Sequence, residues 1–255
     1  MPFSRPQTFE ILTKDSQIFK VTIVLGLHDF LRLRGFLCYN LRDLVKLNKP
    51  DKLGRLKMEI VLATRNKKKI EEIKRVIGDM PVSVLTIDDF PECPEVKEEG
   101  VTFQENAVRK AMAVAQCTGK PSLADDSGLE VDSLSNAPGV FSSRYAGESA
   151  TDRKNIEKLL HEMRSIVDGK RNARFVCCLV LAFPDGRVEI FSGQVEGRIG
   201  REPKGSRGFG YDPLFYPEGR NKTFAEMPAD EKDTLSHRGK ALRKFQEYLR
   251  SVYFI

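Results

Sequence analysis

From residue 58 onward, short continuous apolar runs alternate with segments in which apolar residues recur at helical spacing. The run at 60–63 indicates a buried strand, and residues 82–87 have the β-branched composition of a second strand. Between these two runs, apolar residues recur at helical spacing: Ile70, Ile73, Val76 and Ile77. Gly78 and Pro81 end that helix. A strand–helix–strand start is typical of an α/β domain.

The same periodicities predict the remaining elements. Thr102, followed three residues later by Glu105, matches a capping box and predicts a helix that runs to about Cys117. Two β-rich stretches, at 173–183 and 187–199, predict a hairpin. The other predicted elements are a strand at 122–124, a helix capped at 151–152 and a last helix at about 239–250. We therefore expect a mixed α/β fold.

The first 57 residues differ from the rest of the chain in charge. The chain has 255 residues and a net charge of +6, but residues 1–57 hold 11 Lys and Arg against 5 Asp and Glu. The remaining residues are therefore neutral. A pI near 9.0 usually suggests a nucleic-acid partner. Because the surplus lies in the leader, we expect no nucleic-acid partner for the domain that follows.

The leader also carries leucines at helical spacing among arginines. Residues 30–47 predict a basic amphipathic helix, which could bind a membrane surface or an RNA. We favour the alternative that residues 1–57 are a non-functional extension or upstream sequence from a misplaced start. The reason is that Met58 stands directly at the start of the first domain strand. We place the catalytic domain at 58–255.

Composition argues against several classes of protein. The longest apolar runs, such as 177–183, are too short to span a membrane, and we identify no export signal. Five cysteines without a C-x-x-C pair suit a reducing cytoplasm, in which thiols act as small hydrophobes. Three histidines without ligand spacing argue against a histidine zinc site. We expect a cytoplasmic protein.

Two adjacent carboxylates, Asp125 and Asp126, follow the apolar segment at 122–124. We predict a sharp turn here, from which the two side chains diverge. Hydrolysis of a phosphoanhydride needs Mg²⁺ to neutralise the phosphates and a carboxylate to orient or deprotonate water. Diverging carboxylates can divide these tasks. The alternative is a solvated turn without chemistry.

A second acidic pair, Glu98 and Glu99, precedes the helix that carries Lys110. Acidic pairs in loops are usually solvated, which argues against a metal role for these two. Lys110 lies among small apolar residues and could reach inward toward phosphate. Its spacing alone favours the alternative, in which the side chain extends to solvent.

A third segment, Thr64-Arg65-Asn66-Lys67-Lys68-Lys69, lies at a strand-to-helix junction. Free backbone N–H groups at the start of a helix bind anions, and nearby lysines add positive charge. This segment is therefore a candidate phosphate site. The three lysines are also compatible with a solvated face, and the chain contains no Walker A motif.

A glycine-rich loop and a basic segment supply candidate groups for binding a base. In Gly208-Phe209-Gly210-Tyr211-Asp212 the glycines allow close approach, an aromatic ring can stack, and the carboxylate can accept from ring N–H groups. Lys232, His237 and Arg238 offer donors to purine carbonyl oxygens. The alternatives are aromatic rings packed in the core and a Ser236 that only caps a helix.

Six motifs in this order resemble the inosine triphosphate pyrophosphatase family. They are Thr64-Arg65-Asn66-x-x-Lys69, Thr102-Phe103-x-Glu105-Asn106-Ala107-x-x-Lys110-Ala111, Ala124-Asp125-Asp126-Ser127-Gly128-Leu129, Ala137-Pro138-Gly139-Val140, Gly208-Phe209-Gly210-Tyr211-Asp212-Pro213 and Ser236-His237-Arg238-Gly239. The resemblance covers about residues 58–250. It implies hydrolysis of ITP, dITP and XTP to the monophosphate and pyrophosphate, which cleanses the nucleotide pool.

The resemblance also implies roles for individual residues. Asp126 is implied to activate water with help from Asp125, Lys110 to contact the phosphates, and Glu98 and Asp126 to bind Mg²⁺. The implied substrate-binding residues are Thr64, Arg65, Asn66, Lys67, Lys68, Lys69, Ser127, Phe209, Gly210, Tyr211, Asp212, Lys232, His237 and Arg238. Family members commonly carry Gly at the position of Arg65, where this chain departs from the pattern.

The family fold is an elongated, two-lobed α/β domain around a twisted mixed sheet, with the active site in the central cleft. Members usually form homodimers, and we expect both features here. One alternative is a pyrophosphatase for other modified nucleotides; another is a nucleotide- or RNA-binding protein that acts through the basic leader. His237 and Arg238 favour a purine with a 6-oxo group, since both can donate to that oxygen.

Overall fold

The computed structural model describes residues 7–12, 18–23, 48–50 and 56–253, with side chains from residue 57 onward. By its internal contacts the chain divides into two units, Met1–Lys49 and Pro50–Ile255. In the first unit, β1 (Gln7–Leu12) pairs antiparallel with β2 (Ile18–Ile23). A short strand, β3 (Asn48–Pro50), lies at the division between the units. The predicted helix at 30–47 lies outside the described residues, and the boundary at 57/58 stays a prediction.

The second unit contains a mixed, open sheet with helices packed on it, which confirms the predicted α/β class. Its strands are β4 (Leu56–Leu62), β5 (Val82–Thr86), β6 (Ser122–Val131), β7 (Asn172–Ala182), β8 (Val188–Ile199) and β9 (Phe215–Pro217). Its helices are α1 (Lys67–Ile77), α2 (Phe103–Thr118), α3 (Asp152–Glu162), α4 (Ala229–Leu235) and α5 (His237–Tyr253). β4 runs parallel to both β5 and β6, whereas β7, β8 and β9 continue the sheet antiparallel.

Ser122–Val131 form one continuous central strand, β6, where the sequence predicts a turn at Asp125 and Asp126. All ten of its residues pair with β7, from Ser122 opposite Ala182 to Val131 opposite Ala173. The predicted turn at Asp125 and Asp126 is wrong because the apolar strand β7 supplies a complete ladder of backbone partners. These two carboxylates therefore lie in regular strand geometry, so their side chains project to opposite faces of the sheet.

Two hydrophobic clusters flank the polar centre of β6. One contains Val61, Ala107, Val114, Ala124 and Val180, among others. The other contains Leu129, Leu159, Phe175, Phe215 and Phe224, among others. Within β6, Asp125-Asp126-Ser127-Gly128 lies between Ala124 of the first cluster and Leu129 of the second. The polar residues of this strand therefore separate the two clusters.

Helix α2 begins as predicted, because the Thr102 hydroxyl accepts a hydrogen bond from the Glu105 amide at 3.1 Å. The segment before it, residues 94–102, is irregular and runs back along the helix; we call this segment the strap. One end is tied to α2 by a disulfide between Cys93 and Cys117. The other is tied by the Gly100 amide, which donates to Asn106 at 2.7 Å.

That disulfide corrects the expectation that every cysteine is a free thiol. The two residues are 24 positions apart, so their sequence spacing gives no sign of pairing. Tertiary folding of the strap brings their Cα atoms to 5.8 Å, within the usual range for a disulfide. Cys177 and Cys178 are free and buried in β7, as expected of small hydrophobes.

No helix in the described part of the chain has both the length and the apolar content needed to cross a membrane.

Close packing of α5 on the sheet depends on Gly193 in β8. A Cβ at this position would overlap the backbone oxygen of His237 and lie 2.7 Å from the Ala241 nitrogen. We predict that Gly193→Ala costs about 1–3 kcal/mol, because the backbone of α5 has to move. The thermal midpoint should fall by about 3–10 °C. Gly169→Ala is the control, since an added Cβ there meets nothing within 4 Å. Equal midpoints for the two variants by calorimetry would contradict this packing.

Candidate active site

A cavity of about 460 Å³ opens beside the centre of β6. Most of the predicted site residues line it: Thr64, Arg65, Asn66, Lys69, Glu98, Lys110, Asp126, Ser127, Phe209, Gly210, Tyr211, Asp212, Lys232, His237 and Arg238. Three predicted residues are not in its wall. Asp125 lies behind it, whereas Lys67 is exposed and Lys68 lines a separate groove behind the Phe209 loop.

Asp125 is held by cations on the buried side of β6. Its carboxylate accepts from Lys69 Nζ at 2.5 Å and from Arg238 Nε at 2.9 Å. The Ser127 hydroxyl donates to it at 2.7 Å and the Cys177 thiol at 3.1 Å. Burial alone would raise the pKa of Asp125, but Arg238 and Lys69 outweigh it and hold the pKa well below its usual range. Asp125 is therefore an ionised structural anion at neutral pH.

Asp126 faces the cavity and has the opposite electrostatic character. Its Oδ1 accepts from Lys110 Nζ at 3.0 Å, but no described residue donates to the buried Oδ2. Burial raises the pKa of this carboxyl above its usual value, although Lys110 and Lys69 act in the other direction. A buried acceptor without a partner is costly in a folded protein. Asp126 thus presents an oxygen that is suited to a proton or a cation.

Lys110 is buried rather than extended to solvent, so the alternative that its spacing favours is wrong. Its Nζ lies 2.6 Å from Glu98 Oε1 and 3.0 Å from the backbone oxygen of Asp125, in addition to its contact with Asp126. Alanines on α2 allow the helix to approach β6, which brings the ammonium group to the two carboxylates. Burial lowers the pKa of Lys110, but the negative charges of Asp126 and Glu98 outweigh it and raise the pKa above its usual value.

Glu98 and Asp126 are the residues that could hold a divalent cation. Both carboxylates converge on Lys110, and the orphaned Oδ2 of Asp126 offers a ligand oxygen. No group of three or more His, Cys, Asp and Glu side chains able to hold a metal occurs among the described residues. This donor set fits Mg²⁺, which commonly uses one or two carboxylates together with substrate phosphates and water. Glu99 is exposed.

The N-terminus of α1 forms the cationic end of the cavity. The Asn66 side chain caps the helix by accepting from the Lys68 and Lys69 amides at 3.1 and 3.2 Å. The Thr64 hydroxyl in turn accepts from the Asn66 amide at 3.2 Å. Arg65 is exposed and pairs with Asp88 at 3.3 Å, so this turn accommodates a long side chain. A helix start beside Lys69 favours an anion.

The far end of the cavity combines an aromatic ring with buried charges. The half-buried Phe209 ring lies 5.0 Å from Lys232 Nζ and 5.5 Å from the Arg238 guanidinium. Asp212 accepts from Lys232 at 2.6 Å and from the Phe209 amide at 2.8 Å, which fixes the loop. Tyr211 packs in the core and donates to the Ser142 oxygen at 2.9 Å. Phe209 is therefore the ring placed to stack on a planar ligand.

His237 lines the same end of the cavity in a neutral state. Its ring stacks on Phe175 with centroids 4.7 Å apart, and no described residue hydrogen-bonds its buried Nδ1. Burial and the charge of Arg238 hold the pKa of His237 well below its usual range. A neutral imidazole with one unsatisfied nitrogen can exchange a hydrogen bond with a bound base.

Sequence reasoning missed Glu72, which connects the two ends of the site. This buried residue on α1 lies 2.7 Å from Lys232 Nζ and 2.5 Å from Arg238 Nη1. Burial opposes its ionisation, but Arg238 and Lys232 prevail and lower the pKa of Glu72 to about 2. The available signal was its spacing, because Glu72 follows Lys69 by three residues and shares its helix face.

Comparison with known proteins identifies a family for most of the chain. Residues 60–248 match the family model described as the Ham1 family. A dITP/XTP pyrophosphatase of Geobacter sulfurreducens is 47% identical over 190 residues, which is 74% of this chain and 96% of that protein. A dITP/XTP pyrophosphatase of Thermus thermophilus is 53% identical over 190 residues, covering 74% of this chain and 91% of its own length.

Solved structures give the same result for the fold. A HAM1 protein from Coxiella burnetii superposes with a TM-score of 0.70 and is 43% identical in sequence. The match covers 76% of this chain and 98% of that one. The mixed α/β fold that the six motifs imply is therefore confirmed.

The two neighbouring aspartates should respond oppositely to neutralisation. Because the pKa of Asp125 is depressed, its charge stabilises the folded state above its ordinary value of 3.8, and this contribution is lost at lower pH. Asp125→Asn leaves Lys69 and Arg238 undercompensated and should cost about 3–5 kcal/mol at pH 7. The raised pKa of Asp126 means that its charge opposes folding, so Asp126→Asn should leave the thermal midpoint unchanged or higher.

Thermal unfolding of the two variants at pH 7 and at pH 3 tests this contrast. The deficit of Asp125→Asn should shrink only below about pH 4, where the unfolded wild-type chain takes up a proton on this carboxyl and the stabilisation by its charge declines. Equal losses for both variants at pH 7 would contradict the assignment of one structural and one chemical carboxylate.

Proposed function

The chain belongs to the Ham1 family, and on that premise we propose that it hydrolyses ITP, dITP and XTP to the monophosphate and pyrophosphate. The relatives named dITP/XTP pyrophosphatase support this activity. They do not favour a pyrophosphatase for other modified nucleotides, nor an RNA-binding protein that acts through the leader. The single observation that carries the proposal is the unpartnered, cavity-facing oxygen of Asp126.

Asp126 is the group that orients the attacking water and takes its proton. Lys110 fixes one carboxylate oxygen at 3.0 Å, and the other remains available to accept from water. Asp125 assists by anchoring Lys69, whose ammonium group, like that of Lys110, lies near the path of the phosphates.

Mg²⁺ is the proposed cofactor, held by Glu98 and Asp126 together with the substrate. When bound, it neutralises charge on the phosphates and on the leaving pyrophosphate. Lys110 holds both carboxylates on one side of the cavity, so the ligand oxygens are positioned before the substrate arrives. The N-terminus of α1 binds the negative end of the triphosphate.

The base lies at the Phe209 end, where stacking is combined with polar recognition. His237 and Arg238 are the proposed donors to the 6-oxo group of a purine. Most Arg238 donors already serve Asp125, Glu72 and Ser127, which holds the guanidinium rigidly for this contact. The 6-amino group of adenine cannot accept from His237 or from the remaining donor of Arg238, so both would stay unpaired. Polar sites reject such mismatches strongly.

We predict pyrophosphate release from ITP, dITP and XTP in the presence of Mg²⁺, with kcat/KM for ATP at least about 100-fold lower. Asp126→Asn should retain its fold and lose at least about 100-fold in turnover, the scale for loss of a general base or metal ligand. Asp185→Asn, in the exposed hairpin turn, is the matched control and should keep full activity. Comparable efficiency on ATP and ITP would refute this account of base recognition, and an active Asp126→Asn would refute the assigned base.

We further propose a cytoplasmic homodimer. The nucleotide pool that supplies the substrate lies in the cytoplasm. Phe141 and Val101 are 56% and 79% exposed, and we propose that they lie in the dimer contact. Light scattering should give twice the chain mass of 28.9 kDa, and Phe141→Asp should shift the protein toward the monomer. A wild-type mass of one chain at micromolar concentration would contradict the dimer.

A further inference from the structure

The strap lies along α2 and forms one wall of the cavity. Helix α2 rises about 1.5 Å per residue, so the distance from Cys117 back to its first residue is about 20 Å. The ten residue steps from Cys93 to Phe103 could span about 33–36 Å if fully extended, so this segment covers the distance with length to spare. Pro94, Glu95, Val96 and Glu98 of this segment line the cavity.

Ties along its length hold the strap against the helix. The disulfide fixes the end near Cys117, and the Gly100–Asn106 hydrogen bond fixes the end near the start of α2. Between them, Glu98 contacts Lys110 at 2.6 Å through its side chain, and its backbone oxygen accepts from Arg144 at 3.0 Å. The only covalent tie described here is the disulfide, and it lies five residues before Glu98.

The two halves of the disulfide differ in exposure. Cys93 is 4% exposed and packs in the cluster of Ile87, Phe103 and Val114. Cys117 is exposed on the last turn of α2. A reductant can therefore reach the Cys117 sulfur, while the reduced Cys93 remains in the core as a small hydrophobe. Cys177 and Cys178 are buried in β7 and do not compete for exchange.

We propose that Cys93–Cys117 is a reversible redox modification site that controls the position of Glu98, and through it the affinity of the site for a divalent cation. This proposal rests on the proposed function, in which Glu98 is a ligand. With the bond closed, the strap is tied at both ends and Glu98 is held beside Lys110. With the bond open, the strap keeps only hydrogen bonds and the Glu98 ion pairs, so Glu98 is less well positioned. Disulfides in a cytoplasm are typically transient or redox-sensing, which fits such a role.

The reductant is a dithiol. Its first thiolate attacks the Cys117 sulfur, which forms a mixed disulfide and releases the Cys93 thiolate, and this thiolate takes up a proton. Its second thiol then attacks the mixed disulfide and releases Cys117, which is protonated in turn. The protein gains two electrons and two protons, and the dithiol leaves as a disulfide. A disulfide oxidant reverses both steps.

The test compares the oxidised full chain, the chain reduced with dithiothreitol, and Cys117→Ser, which cannot form the bond. Gln116→Ser is the matched control, since it changes the neighbouring exposed residue and keeps both cysteines. Alkylation in denaturant should leave Cys93 and Cys117 unlabelled in the oxidised chain and should label both in the chain that was first reduced. Peptides covering 94–102 should exchange amide hydrogens faster in the reduced chain and in Cys117→Ser. The thermal midpoint of the reduced chain and of Cys117→Ser should lie about 5–10 °C below that of the oxidised chain.

The Mg²⁺ concentration for half-maximal ITP hydrolysis should rise about tenfold on reduction, as it does when groups that position a ligand are lost. Reoxidation should restore the original Mg²⁺ dependence. Cys117→Ser should resemble the reduced chain and should not respond to dithiothreitol. Gln116→Ser should behave as wild type. Alkylation of Cys93 and Cys117 without reduction would overturn the proposal. So would identical exchange and Mg²⁺ dependence in the two redox states. A redox-dependent strap in a protein that hydrolyses no triphosphate would support the modification site and refute the proposed function.

Discussion

Ionisation of the fully buried Asp125 is the constraint on which the site depends. A carboxylate without water is stable only when cations and donors replace the lost hydration. Lys69 and Arg238 supply the cations, Arg238 is shared with Glu72, and Glu72 shares Lys232 with Asp212. Three acids and three bases therefore form one continuous chain of ion pairs with equal numbers of each charge. Because its members come from α1, β6, α4, α5 and the Phe209 loop, the network also fixes these segments relative to one another.

The opposite side chain of β6, Asp126, belongs to a cluster in which one carboxylate oxygen has no described partner. Glu98 and Asp126 share Lys110, and Glu98 also pairs with Arg144 at 3.4 Å. The network around Asp125 provides rigidity, whereas the cluster around Asp126 keeps one carboxylate oxygen available. In the proposed function, that oxygen serves the reaction. Neighbouring residues of one strand thus carry a carboxylate that is fully paired and a carboxylate with a free oxygen.

Local features of this chain could be predicted from its sequence, and features that depend on distant partners could not. The start of α2 and the β7–β8 hairpin follow from a cap and from a turn, which act within a few residues. The strand through Asp125 was missed because its ladder comes from β7, about fifty residues later. Lys110, Glu72 and the Cys93–Cys117 pair have the same explanation, since each depends on contacts that only the tertiary fold creates.

The alternation of β6 makes the spacing of its residues as important as their identity. Asp125 and Asp126 have the same side chain, and only the face to which each projects separates the structural anion from the proposed base. A single inserted or deleted residue between Ser122 and the first aspartate would exchange the two faces, since a one-residue slip inverts every side chain of a strand. The cations of the network would then meet the wrong carboxylate. Length changes in this strand should therefore be far less tolerated than substitutions at its surface.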